Sequence, residues 1–312
     1  MRPFDSRPRV TDQQAGILAA AGAAFVYGAA YPATAVALRS FSPLAIAGWA
    51  CTLALVLVIA LAAAGLIPRP QTDRWDRGRL ARLLLLAILG GAGFIAAVNV
   101  AVALSGPTIT GFVAPLYAVL ATLFAVPILG EPVRAVTIAA FVLALGGTVL
   151  LAGTAPLGAP LTGILMAFAG AAMFGLYLVL ARRWSAPYRL DGTLVTIANL
   201  LARGPGLLVL AAVVDPRPLL PASLDPGAVV ALISIVVGSS STGSLLVIAS
   251  VRRVPAGRTS AALLLTPVSS ALIAALVLGD RLPPSGLLGA VLILAGIAAA
   301  SGLVRFRPAT AM

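Results

Sequence analysis

The sequence predicts an all-α membrane protein of ten transmembrane helices. They form two inverted five-helix repeats, with N- and C-termini cytoplasmic. Three observations carry that prediction: ten long apolar runs, a one-sided distribution of arginine, and an internal match between the two halves. The chain has 312 residues, of which 61% are hydrophobic and only 10% charged, and its mean hydropathy is +1.08. A soluble domain is about 25% charged.

The apolar runs cover 14–37, 43–67, 80–104, 108–129, 133–153, 160–182, 191–214, 226–250, 257–278 and 283–304. Each is near the ~20 residues that a helix needs to cross the hydrocarbon core. A transmembrane barrel would instead show alternation over about 10 residues per strand, and these runs do not alternate. The whole chain, 1–312, reads as one transmembrane domain. Residues 14–153 form the first repeat and 160–304 the second, inverted one.

All 21 basic residues are arginine. With ten crossings, one side of the membrane holds Arg2, Arg7, Arg9, Arg69, Arg74, Arg77, Arg79, Arg82, Arg134, Arg182, Arg183, Arg189, Arg252, Arg253, Arg258, Arg305 and Arg307. The other side holds Arg39, Arg217 and Arg281, and Arg203 lies within a run. Positive charge collects on the cytoplasmic side, which places both termini there. The same asymmetry accounts for the net charge of +12 without nucleic acid as a partner.

The first span contains GILAAAGAAFVYG (16–28), which matches GILMAFAGAAMFG (163–175) in the sixth. This match argues that the first span is retained rather than cleaved as a signal peptide. The second span holds the one cysteine, Cys51, so no intramolecular disulfide forms. The stretch Pro68–Arg79 reads as a solvated cytoplasmic loop before the third span, which carries Asn99. The fourth span ends at Gly130-Glu131-Pro132 and the ninth at Gly279-Asp280-Arg281. Each is a glycine cap followed by an acid at the next helix start. Val142, Leu143, Leu145 and Gly147 of the fifth span recur as Val291, Leu292, Leu294 and Gly296 of the tenth.

The seventh span carries Asn199 and, one turn on, Arg203. A charge at that depth costs about 2.5–3.5 kcal/mol. Arg203 therefore contacts either a substrate carboxylate or the carbonyls of a broken helix. The eighth span holds Gly-Ser-Ser-Ser-Thr-Gly (238–243) and Ser244, which is either back-bonded to its own helix or loosened toward a cavity. Pro32, Pro115, Pro127, Pro205 and Pro267 are expected to interrupt spans and free carbonyls.

The chain has no His and no Lys, so His-based general bases, metal triads and Lys-dependent phosphate loops are excluded. None of the acids lies near mid-span. Catalysis, metal binding and a cofactor are accordingly not expected, and neither is coupling through an intramembrane carboxylate. Tyr27, Tyr117 and Tyr177 lie deep enough to need hydroxyl partners.

Ten spans in two repeats, each with an acidic turn before its last helix, resemble the drug/metabolite transporter superfamily of the EamA-repeat type. The matching segments are 16–31, 108–151, 163–183 and 257–303. Within it the chain resembles the bacterial YddG-type exporters of aromatic and other neutral amino acids. The Arg-only, Ala- and Gly-rich composition suggests a bacterial inner membrane, and the inverted repeat suggests alternating access. The resemblance implies an exporter of small metabolites. Its cavity would be lined mainly by spans 1, 3, 4, 6, 8 and 9. Carried onto this chain, those spans contain Tyr27, Tyr31, Asn99, Tyr117, Tyr177, Ser239, Ser240, Ser241, Thr242, Ser244 and Thr266. Asn199 and Arg203 stand in a span not expected to line the cavity fully. A small-molecule substrate and the lipid bilayer are the expected partners. Export of cationic drugs or other metabolites and a non-transporting membrane scaffold are the alternative readings.

Overall fold

The structure is a computed structural model. It describes residues 10–65, 76–132, 135–153, 159–185, 187–188, 190, 192–215, 217, 219–220, 225–251, 253–254, 259 and 262–300. Among them, six helical stretches are long and apolar enough to cross a membrane, and four shorter apolar helices complete the series. The first and second segments are α1 (Val10–Ala37) and α2 (Pro43–Ala63). The third is α3 (Arg77–Leu86), a wide turn Ala87–Gly93 and α4 (Phe94–Ser105). The fourth is α5 (Pro107–Val113), a tight turn Ala114–Leu116 and α6 (Tyr117–Leu129). The fifth and sixth are α7 (Ala135–Ala152) and α8 (Ala159–Ser185). The seventh is α9 (Gly192–Leu201), a wide turn Ala202–Gly206 and α10 (Leu207–Val214). The eighth is α11 (Pro226–Ser234), a wide stretch Ile235–Gly243 and α12 (Ser244–Val251). The ninth and tenth are α13 (Leu265–Leu278) and α14 (Pro284–Ala300).

Local chemistry sets the ends. Ser42 and Asp76 cap α2 and α3 by accepting from Ala45 and Arg79 N–H at 3.2 and 2.7 Å, and Asp225 caps α11. Gly130 and Gly279 both adopt the left-handed conformation, φ +70° and +71°. The N–H groups of Glu131 and Asp280 then reach back to Ala125 and Ala274 carbonyls. This is the same closure in both halves, as the Gly-acid signature predicts. Two expectations change. Pro32 and Pro127 lie inside helices that continue through them, so only Pro115 and Pro205 sit in irregular turns. In the expected solvated loop, Arg77–Arg79 are already helical and Arg79 is buried; residues 66–75 lie outside the described set.

The packing repeats with the sequence. Gly28 of α1 meets Thr266, Ser269 and Ser270 at the start of α13. Its counterpart Gly175 on α8 meets Tyr117, Leu120 and Ala121 at the start of α6. Gly16 meets Val254 just beyond α12, and Gly163 meets Ser105 at the end of α4. The matched glycines of the two halves therefore seat on matched segments. The fifth and tenth segments cross each other, with Gly147 on Gly289 and Ile293, and Gly296 on Ala140 and Ala144. These contacts exchange under a shift of 149 residues. The interior is small: Ala20, Ala23, Ala24, Ala167 and Ala171 are fully buried, whereas Leu18, Val213 and Leu276 stand more than two-thirds exposed. Small residues inward and large apolar ones outward is the pattern of helices packed in lipid.

At one end of the bundle Trp49 Nε1 donates to the Leu219 carbonyl at 3.1 Å, and Asp225 N–H donates to Ser40 Oγ at 3.2 Å. Asp215 lies there too. Burial tends to raise its carboxyl, but the Arg217 N–H, the Ser42 hydroxyl and the Arg217 guanidinium together hold it below the ordinary carboxylate range.

Two outcomes are expected. A Cβ at Gly147 would fall 2.5 Å from the Gly289 carbonyl oxygen, whereas Gly146 faces open space. Gly147→Val should therefore destabilise by about 1–3 kcal/mol, while Gly146→Ala holds or raises stability. Thermal unfolding in detergent checks both, and equal behaviour of the two variants refutes the crossing. Asp215 contributes stability above the usual carboxylate range and loses it as pH falls through its lowered pKa. Asp215→Asn should thus show a smaller acid-induced drop in melting temperature between pH 7 and pH 3 than the wild type.

Candidate functional site

Aromatic side chains gather where the two halves meet. Phe94 of α4, Tyr117 of α6, and Phe174 and Tyr177 of α8 form a continuous row. Phe94 stacks on Phe174 at 4.5 Å between centroids, Tyr117 meets Phe174 edge-on at 4.9 Å, and Phe174 lies 5.3 Å from Tyr177. Edge-on and offset contacts of this kind hold ring orientation beyond plain burial. Tyr27 and Tyr31 of α1 lie within electrostatic range of Tyr117. Tyr117 thus stands near two phenols of α1 and against Phe174 of the second half.

The ring positions depend on the wide turns. Gly90, in the wide turn of the third segment, lies against the Tyr177 ring. Gly243, closing the wide stretch of the eighth, lies against Tyr27, where a Cβ would come within 2.6 Å of the ring. A side chain at either glycine would displace a tyrosine. Gly91 has φ −92° and ψ −105°, outside helical values, and its neighbour Gly90 presents its carbonyl to Arg203.

The predicted polar residues fall into three groups. Asn99, Asn199 and Arg203 are engaged. Asn99 is buried and donates to the Pro43 carbonyl at 2.9 Å, tying α4 to the start of α2. Asn199 donates to the Tyr177 hydroxyl at 3.2 Å. Arg203 donates to the Gly90 carbonyl; it bonds a broken helix, but that of the third segment rather than its own turn at Pro205. Ser239 and Thr266 are half-buried and Thr242 is exposed. The backbone of Ser240 and Ser241 lies in the wide stretch and that of Ser244 opens α12, whereas their side chains lie outside the described set.

Sequence reasoning left out Phe94 and Gly90, the glycine that seats Tyr177. The signal was present: Gly90 and Gly238 stand 148 residues apart, each inside a wide stretch. It is faint against 31 glycines. Also left out was Ser270, fully buried and bonded to the Pro107 carbonyl at 3.3 Å. A separate cavity of about 410 Å³ opens between the turn joining the third and fourth segments and the turn joining the ninth and tenth, with Ser105, Gly106, Pro107, Asp280 and Arg281 in its wall.

The sequence profile of the EamA-like transporter family matches residues 14–153 and again 161–302. The chain belongs to the EamA-like transporter family. Its two family repeats cover most of its length, and membership makes it a multi-pass membrane protein that transports small solutes. A solved structure titled only "Crystal structure of protein" is similar in fold, with a TM-score of 0.64 at 22% identity. The match covers 94% of this chain and 99% of that one. No curated protein matches the chain in sequence.

The Asn99 bond gives a prediction for this EamA-family protein. Asn99→Ala strands the Pro43 carbonyl and should destabilise by about 1–3 kcal/mol, read by thermal unfolding. Thr242→Ala, at an exposed position, should leave the melting temperature unchanged. An unaltered Asn99→Ala protein would remove the tie between α4 and α2.

Proposed function

We propose that this EamA-family transporter exports amino acids, aromatic and other neutral ones, or similar small zwitterions across a bacterial inner membrane. It does so by alternating access between two inverted five-helix halves of ten crossings, with both termini cytoplasmic. The aromatic row at the junction of the halves carries this reading. Tyr117, Phe174 and Tyr177 offer flat apolar surface, with phenol groups able to donate and accept. A pocket lined by rings with a few polar groups suits a small amphipathic solute. The exchange of matched glycine contacts between halves supports the inverted arrangement. Transporters built this way hold the solute at the repeat interface. Glycine-freed carbonyls, with the phenols, supply partners for the ammonium group.

Among the described residues no acid lies at mid-segment, and movement down a gradient does not need a titrating carboxylate. Purified protein in liposomes should exchange labelled L-phenylalanine without an imposed pH gradient. Tyr117→Ala, inserted normally, should lower the rate at least ten-fold. Flux only under an imposed pH gradient overturns the uncoupled mechanism, and an undiminished Tyr117→Ala rate removes the ring row from the path. Exchange of a lipophilic cation in place of phenylalanine would move the assignment to organic cations, which aromatic faces also attract.

A further inference from the structure

We propose that Arg203, Asn199 and Tyr177 form an anion site for the carboxylate of the transported solute; this rests on the amino-acid reading above. Arg203 is a permanent cation within the seventh segment. Among the described residues no carboxylate pairs with it; the ion pairs found are Arg182–Glu131 and Arg217–Asp215, both at segment ends. Its bond to the Gly90 carbonyl uses one of five guanidinium N–H groups. Its Nε is buried without a hydrogen-bond partner, and so is Asn199 Oδ1. Asn199 itself is only 9% exposed. Two unsatisfied polar atoms thus lie on neighbouring turns of one segment, against the wide turn of the third.

The Asn199 amide can turn over without losing Tyr177. In one orientation Nδ2 donates to the phenol oxygen at 3.2 Å; in the other the phenol donates to Oδ1. The second orientation presents Nδ2–H where the unpaired oxygen stood. The site then offers Nε–H and Nδ2–H, and no acceptor, beside a full positive charge. Such a set calls for an anion rather than a cation or an apolar group. One guanidinium balances one negative charge, which fits a carboxylate better than a doubly charged phosphate. Of the other titratable groups nearby, the Cys51 thiol lies within electrostatic range of Arg203 and Tyr177 bonds Asn199; neither is a carboxylate.

The position adjoins the aromatic row. Tyr177 ends the row that continues through Phe174 and Tyr117. A solute whose carboxylate rests on Arg203 lays its side chain along those rings. Arg203 is only partly buried, which leaves it open to a small anion. The wide turns at Ala87–Gly93 and Ala202–Gly206 let the two segments adjust without breaking a regular helix.

The test uses the purified full chain and two probes. Sodium acetate reports the anion site by itself, through its effect on melting temperature. Counterflow of L-phenylalanine against phenylalaninol, which lacks the carboxylate, reports the solute. Asn199→Asp places a carboxylate of the protein's own beside Arg203 and keeps the shape, whereas Arg203→Gln would release the Gly90 carbonyl. Wild type should be stabilised saturably by acetate and Asn199→Asp should not. Wild type should move phenylalanine at least ten-fold faster than phenylalaninol, and Asn199→Asp should lose that preference. An identical acetate response in both proteins overturns the site and leaves a structural water in its place. Acetate protection of wild type alone, with no phenylalanine flux, upholds the anion site and overturns the amino-acid reading.

Discussion

Lipid tails are as apolar as leucine, so burying apolar surface gives neighbouring helices in a bilayer little reason to associate. Contact between backbones has to supply it. In this chain glycine makes that contact possible at the points where segments meet. Gly28 and Gly175 let the first and sixth segments press against the ninth and fourth. Gly147, Gly289 and Gly296 do the same for the fifth and tenth. The alanine-rich interior and the large outward side chains follow from that closeness. A bulkier interior would hold the backbones apart and forfeit the dispersion that holds them together.

The same closeness shapes the site. Where a helix widens, carbonyls lose their usual partners, and in lipid each one needs another. The third segment meets this need with Arg203, brought in from the seventh, and the widened glycines become seats for tyrosine rings. Ring orientation, broken backbone and buried cation are therefore one arrangement. Moving Tyr177 disturbs Gly90, and moving Gly90 disturbs Arg203.

Apolar periodicity located most of the segments within a few residues of their observed ends, because about twenty apolar residues leave little freedom in a bilayer. The Gly-acid turns at Gly130 and Gly279 were legible for a local reason: a left-handed cap demands glycine. The loosening of the eighth segment was readable from its glycine-flanked hydroxyl run. The matching break in the third was hidden among ordinary alanines and glycines. Pro32 and Pro127 misled because proline breaks a helix only where the surroundings do not absorb it. For Arg203, the sequence gives its depth but not its partner, since the Gly90 carbonyl lies 113 residues away. Ring packing around Phe94 depends on which helices adjoin, and composition alone does not say.

The crossing of α7 and α14 returns to itself when the two halves are exchanged, as does the packing of the second segment on the seventh, where Gly48 meets Leu208 and Gly204 meets Thr52. Gly147 reads the partner as Gly289 and Ile293, and Gly296 reads it back as Ala140 and Ala144. Swapping the labels of the two halves returns the same list. At the first and sixth segments, by contrast, a swap turns one contact into a different one: Gly28 on the ninth segment becomes Gly175 on the fourth. Any motion that trades the shapes of the two halves thus carries the fifth–tenth crossing onto itself, with no contact made or lost.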